Sequence, residues 1–128
     1  MARERPDPQE KCVIWVGSSK DDLLGLPAAV VDEIGGAISY AQFGGRHPSA
    51  KPWRGAGSGV LEIVQDHRGD TYRAVYSVRF PGVVYVLHCF QKKSPTGTKT
   101  SRRDISLLNT RLLEAREDFE GRYDNSKI

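Results

Sequence analysis

The feature that most constrains this chain is a run of three strand-forming segments separated by two short turn sequences. Val60–Gln65 is the first, and Asp66-His67-Arg68-Gly69-Asp70 carries turn chemistry after it. Thr71–Phe80 alternates in character, Pro81-Gly82 turns the chain again, and Val83–Phe90 is almost wholly apolar and rich in β-branched residues. Links this short join antiparallel neighbours, so the segment predicts a β-meander. In the middle strand a period of two puts Tyr72, Ala74, Tyr76, Val78 and Phe80 on one side, and Arg73, Val75, Ser77 and Arg79 on the other.

The flanking sequence predicts helices and one more strand. Cys12-Val13-Ile14-Trp15-Val16 reads as a strand closing at Gly17-Ser18-Ser19, followed by a helical turn at Lys20–Leu24. Pro27 suits a helix start, and Val30, Ile34, Ala37, Ile38 and Ala41 recur at helical spacing before Gly44-Gly45. Arg46–Gly59 and Gln91–Thr100 lack periodicity and read as loops. Ser101-x-x-Asp104 is a capping box, and Ile105, Leu108, Leu112, Ala115 and Phe119 form an apolar stripe that ends at Gly121. The expectation is one α+β domain over residues 1–128, with 1–11 and 122–128 frayed. A twisted antiparallel sheet carries helices packed on one face, and a helix closes the chain.

Composition excludes several classes. No apolar stretch approaches the roughly 20 residues of a membrane span. No signal-like apolar region follows Met1-Ala2-Arg3-Glu4-Arg5-Pro6, so a cytoplasmic protein without membrane contact is expected. Cys12 and Cys89 each sit in an apolar run and are expected to be buried thiols, neither a disulfide nor a metal site. The formal charge of +3 hides an asymmetry: residues 67–103 carry eight basic side chains against Asp70 alone, a net of +7. That excess lies along strands and the loop after them, where it concentrates polyanions.

Strand register converts this charge into a face. Pairing Phe80 with Val83 places Arg73 opposite Phe90, Val75 opposite His88 and Ser77 opposite Val86. Pairing Asp66 with Thr71 places Val64 opposite Arg73 and Glu62 opposite Val75. Glu62, Val64, Arg73, Arg79, His88, Phe90 and Lys92 then share a face open to solvent or ligand. Leu61, Ile63, Tyr72, Ala74, Tyr76, Val78, Tyr85, Leu87 and Cys89 form the core face. The open set suits phosphate binding and phosphodiester cleavage by an adjacent 2′-hydroxyl. Arg73 clamps the phosphate, Lys92 and Lys93 stabilise developing charge, Glu62 or His88 acts as base, and Phe90 or Trp53 stacks on a nucleobase. Plainer roles stand beside these: an Arg73–Glu62 cross-strand ion pair, a packing role for His88, a solvated turn for His67, a core Trp15, and Trp53 covering the sheet edge.

Lys51-Pro52-Trp53-Arg54-Gly55, Val60-Leu61-Glu62-Ile63, Gly69-Asp70-Thr71-Tyr72-Arg73-Ala74-Val75-Tyr76 and Val84-Tyr85-Val86-Leu87-His88-Cys89-Phe90-Gln91-Lys92-Lys93-Ser94 together resemble the phage-derived, HigB-like branch of the RelE/HigB toxin superfamily. The resemblance extends to the Leu26-Pro27 helix and to the helix around Arg111-Leu112. It implies a RelE-like sheet and the toxin of a type II toxin–antitoxin pair that cuts messenger RNA on the ribosome without metal or cofactor. A helix-turn-helix antitoxin neutralises such a toxin, and the two join in a higher-order complex on operator DNA. By the same resemblance Arg73 holds the scissile phosphate, Lys93 is the second catalytic basic residue with Lys92 beside it, and Lys51 and Arg54 contact RNA; Lys99, in the basic stretch, is a further RNA-binding candidate. RelE proteins carry two lysines on the strand that here reads Glu62-Ile63-Val64, so either Glu62 or His88 replaces them as base, or ribosomal RNA groups and positioning do the work. A gyrase inhibitor of ParE type and a non-catalytic binding module are the alternatives, because one fold serves several targets.

Overall fold

In this computed structural model, which describes residues 10–92 and 100–123, the paired strands form the centre of the chain. In chain order the elements are β1 (Cys12–Trp15), α1 (Ser19–Leu24), α2 (Ala28–Gln42), β2 (Ala50–Pro52), β3 (Val60–His67), β4 (Asp70–Ser77), β5 (Val83–Gln91) and α3 (Arg102–Tyr123). The sheet order is β1-β5-β4-β3-β2. The α+β class and the C-terminal helix are as expected, but the sheet is mixed, because β1 pairs parallel to β5. Val83 through Phe90 are all buried. Backbone groups buried along so long a strand need a pairing neighbour on each edge, which β4 and β1 provide.

Sequence pattern and register agree at the first hairpin. Asp66 pairs with Thr71, Val64 with Arg73 and Glu62 with Val75, and the Thr71 hydroxyl donates to Asp66 Oδ1 over 2.8 Å beside the turn. The second hairpin departs from expectation at one end. Arg73 faces Phe90 and Val75 faces His88, but a β-bulge follows, so Tyr76 faces Val86 and Ser77 faces Tyr85. The expected Ser77–Val86 pairing therefore does not form. Pairing with β5 stops at Ser77, while Val78 N–H still reaches the β3 side and donates to Gly59 O over 2.8 Å.

That extra residue redistributes the core. On one face α1 and α2 contribute Leu23, Val30, Ile34, Ala37, Ile38 and Ala41, packed against Ile63, Tyr72, Ala74, Tyr76, Val84, Val86 and Cys89. On the other face α3 contributes Leu108 and Ala115 against Val60, Val75, Val83, Tyr85 and Leu87. Helices thus cover both faces, and the expectation of a single helical layer is corrected. Tyr85 and Leu87 also belong to the second face, not to the first. The physical reason is β5 itself: apolar on both sides, it must be covered on both.

Arg111 holds α3 on that second face. It is 8% exposed, and its Nη1 donates to the carbonyl of Leu87, the residue at the bulge, over 2.9 Å. A bulge leaves a ladder group without its strand partner, and the guanidinium supplies one. Nη2 donates to Ser18 Oγ over 3.0 Å. Gly17, at φ +57°, lies so close that a Cβ there would sit 2.9 Å from Arg111 Nε. Tyr85 Oη donates to Asp118 Oδ2 over 2.7 Å, and α3 runs past Gly121 to Tyr123.

Two smaller expectations need revision, those for Cys12 and Trp15. Cys12 is exposed on β1, the edge strand of the sheet among the described residues. Cys89 is buried, and burial pushes its thiol up to about 12. Trp15, on the same edge strand as Cys12, is half-buried where full burial was expected. No described helix is long and apolar enough to cross a membrane.

Candidate functional site

Register makes Glu62 and Arg73 diagonal neighbours on adjacent strands, within reach of each other on the α3 side of the sheet. Arg73 Nη1 donates to Glu62 Oε1 over 2.7 Å, with side-chain exposures of 7% and 9%. The same Nη1 lies 3.5 Å from Thr100 Oγ1, at the entry to α3. The face expected to be open is therefore largely covered, because the last helix packs on it. Arg73 is not displayed on a surface; it forms part of the lining of a cleft.

That cleft has a volume of about 630 Å³ and draws on four parts of the chain: Lys51 and Pro52 of β2, the loop Trp53-Arg54-Gly55, the pair Glu62 and Arg73, and Thr100 with Ile105 at the start of α3. Pairing of β2 with β3 sets Lys51 opposite Glu62. Three cationic side chains against one carboxylate leave the lining positive, which suits an anionic ligand. Lys92 stands near the same group: its N–H continues the sheet by donating to Thr71 O over 2.8 Å. Its ammonium is held below the usual lysine range by desolvation, then by the charge of Arg73, with Glu62 opposing and Lys51 adding a little. Such a lysine gives up its proton more readily than an isolated one.

Several residues singled out in the sequence do other work. His88 is 7% exposed, and its Nε2–H donates to Asp104 Oδ1 over 2.8 Å, since a carboxylate can only accept. Asp104 is also the closing residue of the capping box. Ser101 Oγ donates to Asp104 Oδ2 over 2.8 Å and accepts the Asp104 amide over 3.1 Å. His88 thus ties the first turn of α3 to β5 and does not line the cleft, so the plainer packing role describes it. Phe90 is buried and stacked on His88, ring centroids 4.4 Å apart. It offers no free platform for a base.

Trp53 is 7% exposed and packed into the second core. Gly55 lies against it so closely that a Cβ there would approach the ring to 3.0 Å. Its ring walls the cleft instead of standing out for stacking. Lys93 and Lys99 lie outside the described residues.

Arg79 also differs from expectation. Because β4 stops at Ser77, its side chain leaves the sheet face and grips the loop before β3: Nε donates to Ser58 O over 3.0 Å and Nη2 donates to Ala56 O. Gly59, at φ +81°, closes this loop where a Cβ would fall 3.0 Å from Arg79 Cα. The cleft residues that sequence reasoning missed are Pro52, Gly55, Thr100 and Ile105. The dense glycines at 55, 57 and 59 were the available signal, since such spacing marks a backbone folded tightly against something.

Every residue lining this cleft falls within a stretch shared with a known family. A family model described as phage derived protein Gp49-like matches residues 21–113. No curated protein matches the chain. Among solved structures, the chain is similar to one chain of the RelBE2 toxin–antitoxin complex from Mycobacterium tuberculosis. Identity is 20%, the TM-score is 0.42, and the match covers 70% of this chain and all of that one.

Proposed function

The chain belongs to the phage-derived Gp49-like family, and from that premise we propose that it is the toxin of a toxin–antitoxin pair and cleaves messenger RNA. The observation that carries the proposal is the positive cleft, in which Lys51 and Arg54 from the stretch 51–55 converge with Arg73 of β4. Lys51 and Arg54 meet an RNA backbone first, and Arg73, oriented by Glu62, stabilises charge on the phosphate. The 2′-oxygen attacks the adjacent phosphorus, the bond to the 5′-oxygen breaks, and a 2′,3′-cyclic phosphate and a 5′-hydroxyl result. In this reading Lys92, whose backbone N–H pairs with Thr71 two residues from Arg73, exchanges a proton with these oxygens, and Lys93 follows it in sequence. Glu62 serves as the counter-ion of Arg73. The partners in this reading are a helix-turn-helix antitoxin, which also carries the pair to operator DNA, and the ribosome with its message.

Regulated expression in a bacterial host, with mapping of RNA ends, tests the proposal. Growth arrest with new internal 5′-hydroxyl ends is expected. Lys51→Ala with Arg54→Ala abolishes both effects while the purified variant keeps its circular dichroism spectrum. Arrest with intact messages and trapped gyrase–DNA complexes would refute cleavage and point to the ParE-type activity.

One observation favours a second reading. Both carboxylate and imidazole candidates for the base are engaged, Glu62 by Arg73 and His88 by Asp104. That arrangement suits a module that holds RNA without cutting it. Purified protein that binds RNA with steep salt dependence and leaves it whole, with no arrest, would establish this reading.

A further inference from the structure

A second, smaller cavity of about 210 Å³ lies along α3, lined by Arg79, Asn109, Leu112, Leu113 and Arg116. Two features join it to the cleft. The first is helical spacing: Ile105, which lines the cleft, is followed by Asn109, Leu112 and Arg116 at intervals of four, seven and eleven residues, which share one helix face. At a rise of 1.5 Å per residue this face extends roughly 16 Å. The second is the loop opposite. Arg54 and Gly55 wall the cleft, and the residues just after them, Ala56 and Ser58, accept the hydrogen bonds of Arg79, which lines the second cavity. One helix face and one loop therefore border both spaces.

The chemistry of the second space is that of an anion site with an apolar strip. Arg79 and Arg116 are charged, Asn109 is an exposed amide, and Leu113 is 54% exposed. Arg116 contacts Glu120 at 3.4 Å in an exposed i,i+4 pair, with side-chain exposures of 67% and 52%. Such a pair is weak enough for a phosphate to displace.

We infer that this groove is a second phosphate subsite, where Arg79, Asn109 and Arg116 hold a single-stranded RNA as it runs on from the cleft along α3. The inference rests on the RNA reading of the cleft and adds a length requirement to it. A trinucleotide fills the cleft alone, whereas a strand of about ten nucleotides also reaches the groove. Sugars or bases between the phosphates lie on Leu112 and Leu113. An acidic protein segment would meet the same charges, but the alignment of the groove with the cleft favours a strand continuous through both.

The test uses fluorescent 2′-O-methyl oligoribonucleotides, which bind but cannot be cut, and the whole chain as it stands. Arg79 is left intact because it also holds the loop; the variant is Asn109→Ala with Arg116→Ala, both exposed on α3. Loss of charge-assisted hydrogen bonds predicts about tenfold weaker binding of the ten-nucleotide probe. The slope of log affinity against log salt becomes shallower by about 0.7 for each phosphate that the variant no longer neutralises. Trinucleotide affinity stays unchanged, while Lys51→Ala with Arg54→Ala weakens both probes. Equal binding of the longer probe by wild type and the Asn109/Arg116 variant overturns the inference and leaves the cleft reading intact. Wild-type protein that binds neither probe overturns both. A variant that keeps RNA affinity but loses its antitoxin assigns the groove to a protein partner and overturns the inference.

Discussion

Removing one member of the Glu62–Arg73 pair should be among the most damaging single changes in this protein, and removing both should be far milder. The two side chains are 9% and 7% exposed and meet at 2.7 Å, so the pair belongs to the buried class. Breaking such a pair from one side leaves an uncompensated charge in the interior and costs about 3–5 kcal/mol. An exposed pair would cost about 0–1 kcal/mol. Replacing both members with apolar residues of similar length abandons the attraction and the desolvation penalty together, and the net change is close to neutral. We therefore expect Glu62→Met and Arg73→Met each to lower stability by about 4 kcal/mol, and the double variant to recover most of that loss. Urea unfolding followed by tryptophan fluorescence measures this directly. With a dependence of about 1–3 kcal/mol per molar urea, each single variant shifts the midpoint down by roughly 2 M. Single variants that each cost under about 1 kcal/mol, or a double variant no better than the worse single one, would refute the assignment of a buried, coupled pair.

Three further outcomes rest on the packing. Leu108 is 1% exposed on the sheet-facing side of α3, so Leu108→Ala costs about 2–5 kcal/mol in the same unfolding assay. Asp118 is pushed up by burial, but hydrogen bonds from Arg122 and Tyr85, with the charge of Arg122, outweigh this and hold its carboxyl below the usual range. Because the folded value is depressed, its contribution to stability is present above the unfolded value and lost as pH falls through the folded one. The stability gap between wild type and Asp118→Asn should therefore be open at pH 7 and closed at strongly acid pH, as urea titrations at several pH values will show. Finally, the native protein should react with a thiol reagent at exposed Cys12 alone, with Cys89 reacting only after unfolding. Two fast-reacting thiols in the folded state would contradict the burial of Cys89.

The first hairpin was legible because its turn chemistry and its alternation agree: Asp66 opposite Thr71 sets every later pair of β3 and β4. The second hairpin was legible only where it approaches Arg73 and Val75. A bulge has no signature in an all-apolar strand, since Leu87 and His88 can turn to the same side without any break in the pattern of β5. For the site, Arg73 and Glu62 were readable as charged residues sharing one strand face, and Lys51 and Arg54 as basic residues of the preceding loop. The engagement of His88 by Asp104 was not, because it joins residues sixteen apart across a boundary between strand and helix.

Local patterning by itself determined the elements: the helical stripe of α2, the capping box of α3, the β3–β4 register and the α+β class. These depend on periodicity and on neighbours close in the chain, which a sequence displays. Tertiary structure alone decided that α3 lies on the opposite face from α2, that Arg73 lines a cleft where an open surface was expected, and that Trp53 and Phe90 are taken up by the core. A strand apolar on both sides must be covered on both sides, but which helix covers which side is a matter of bulge, burial and side-chain partners far apart in sequence. Only the folded chain brings those together.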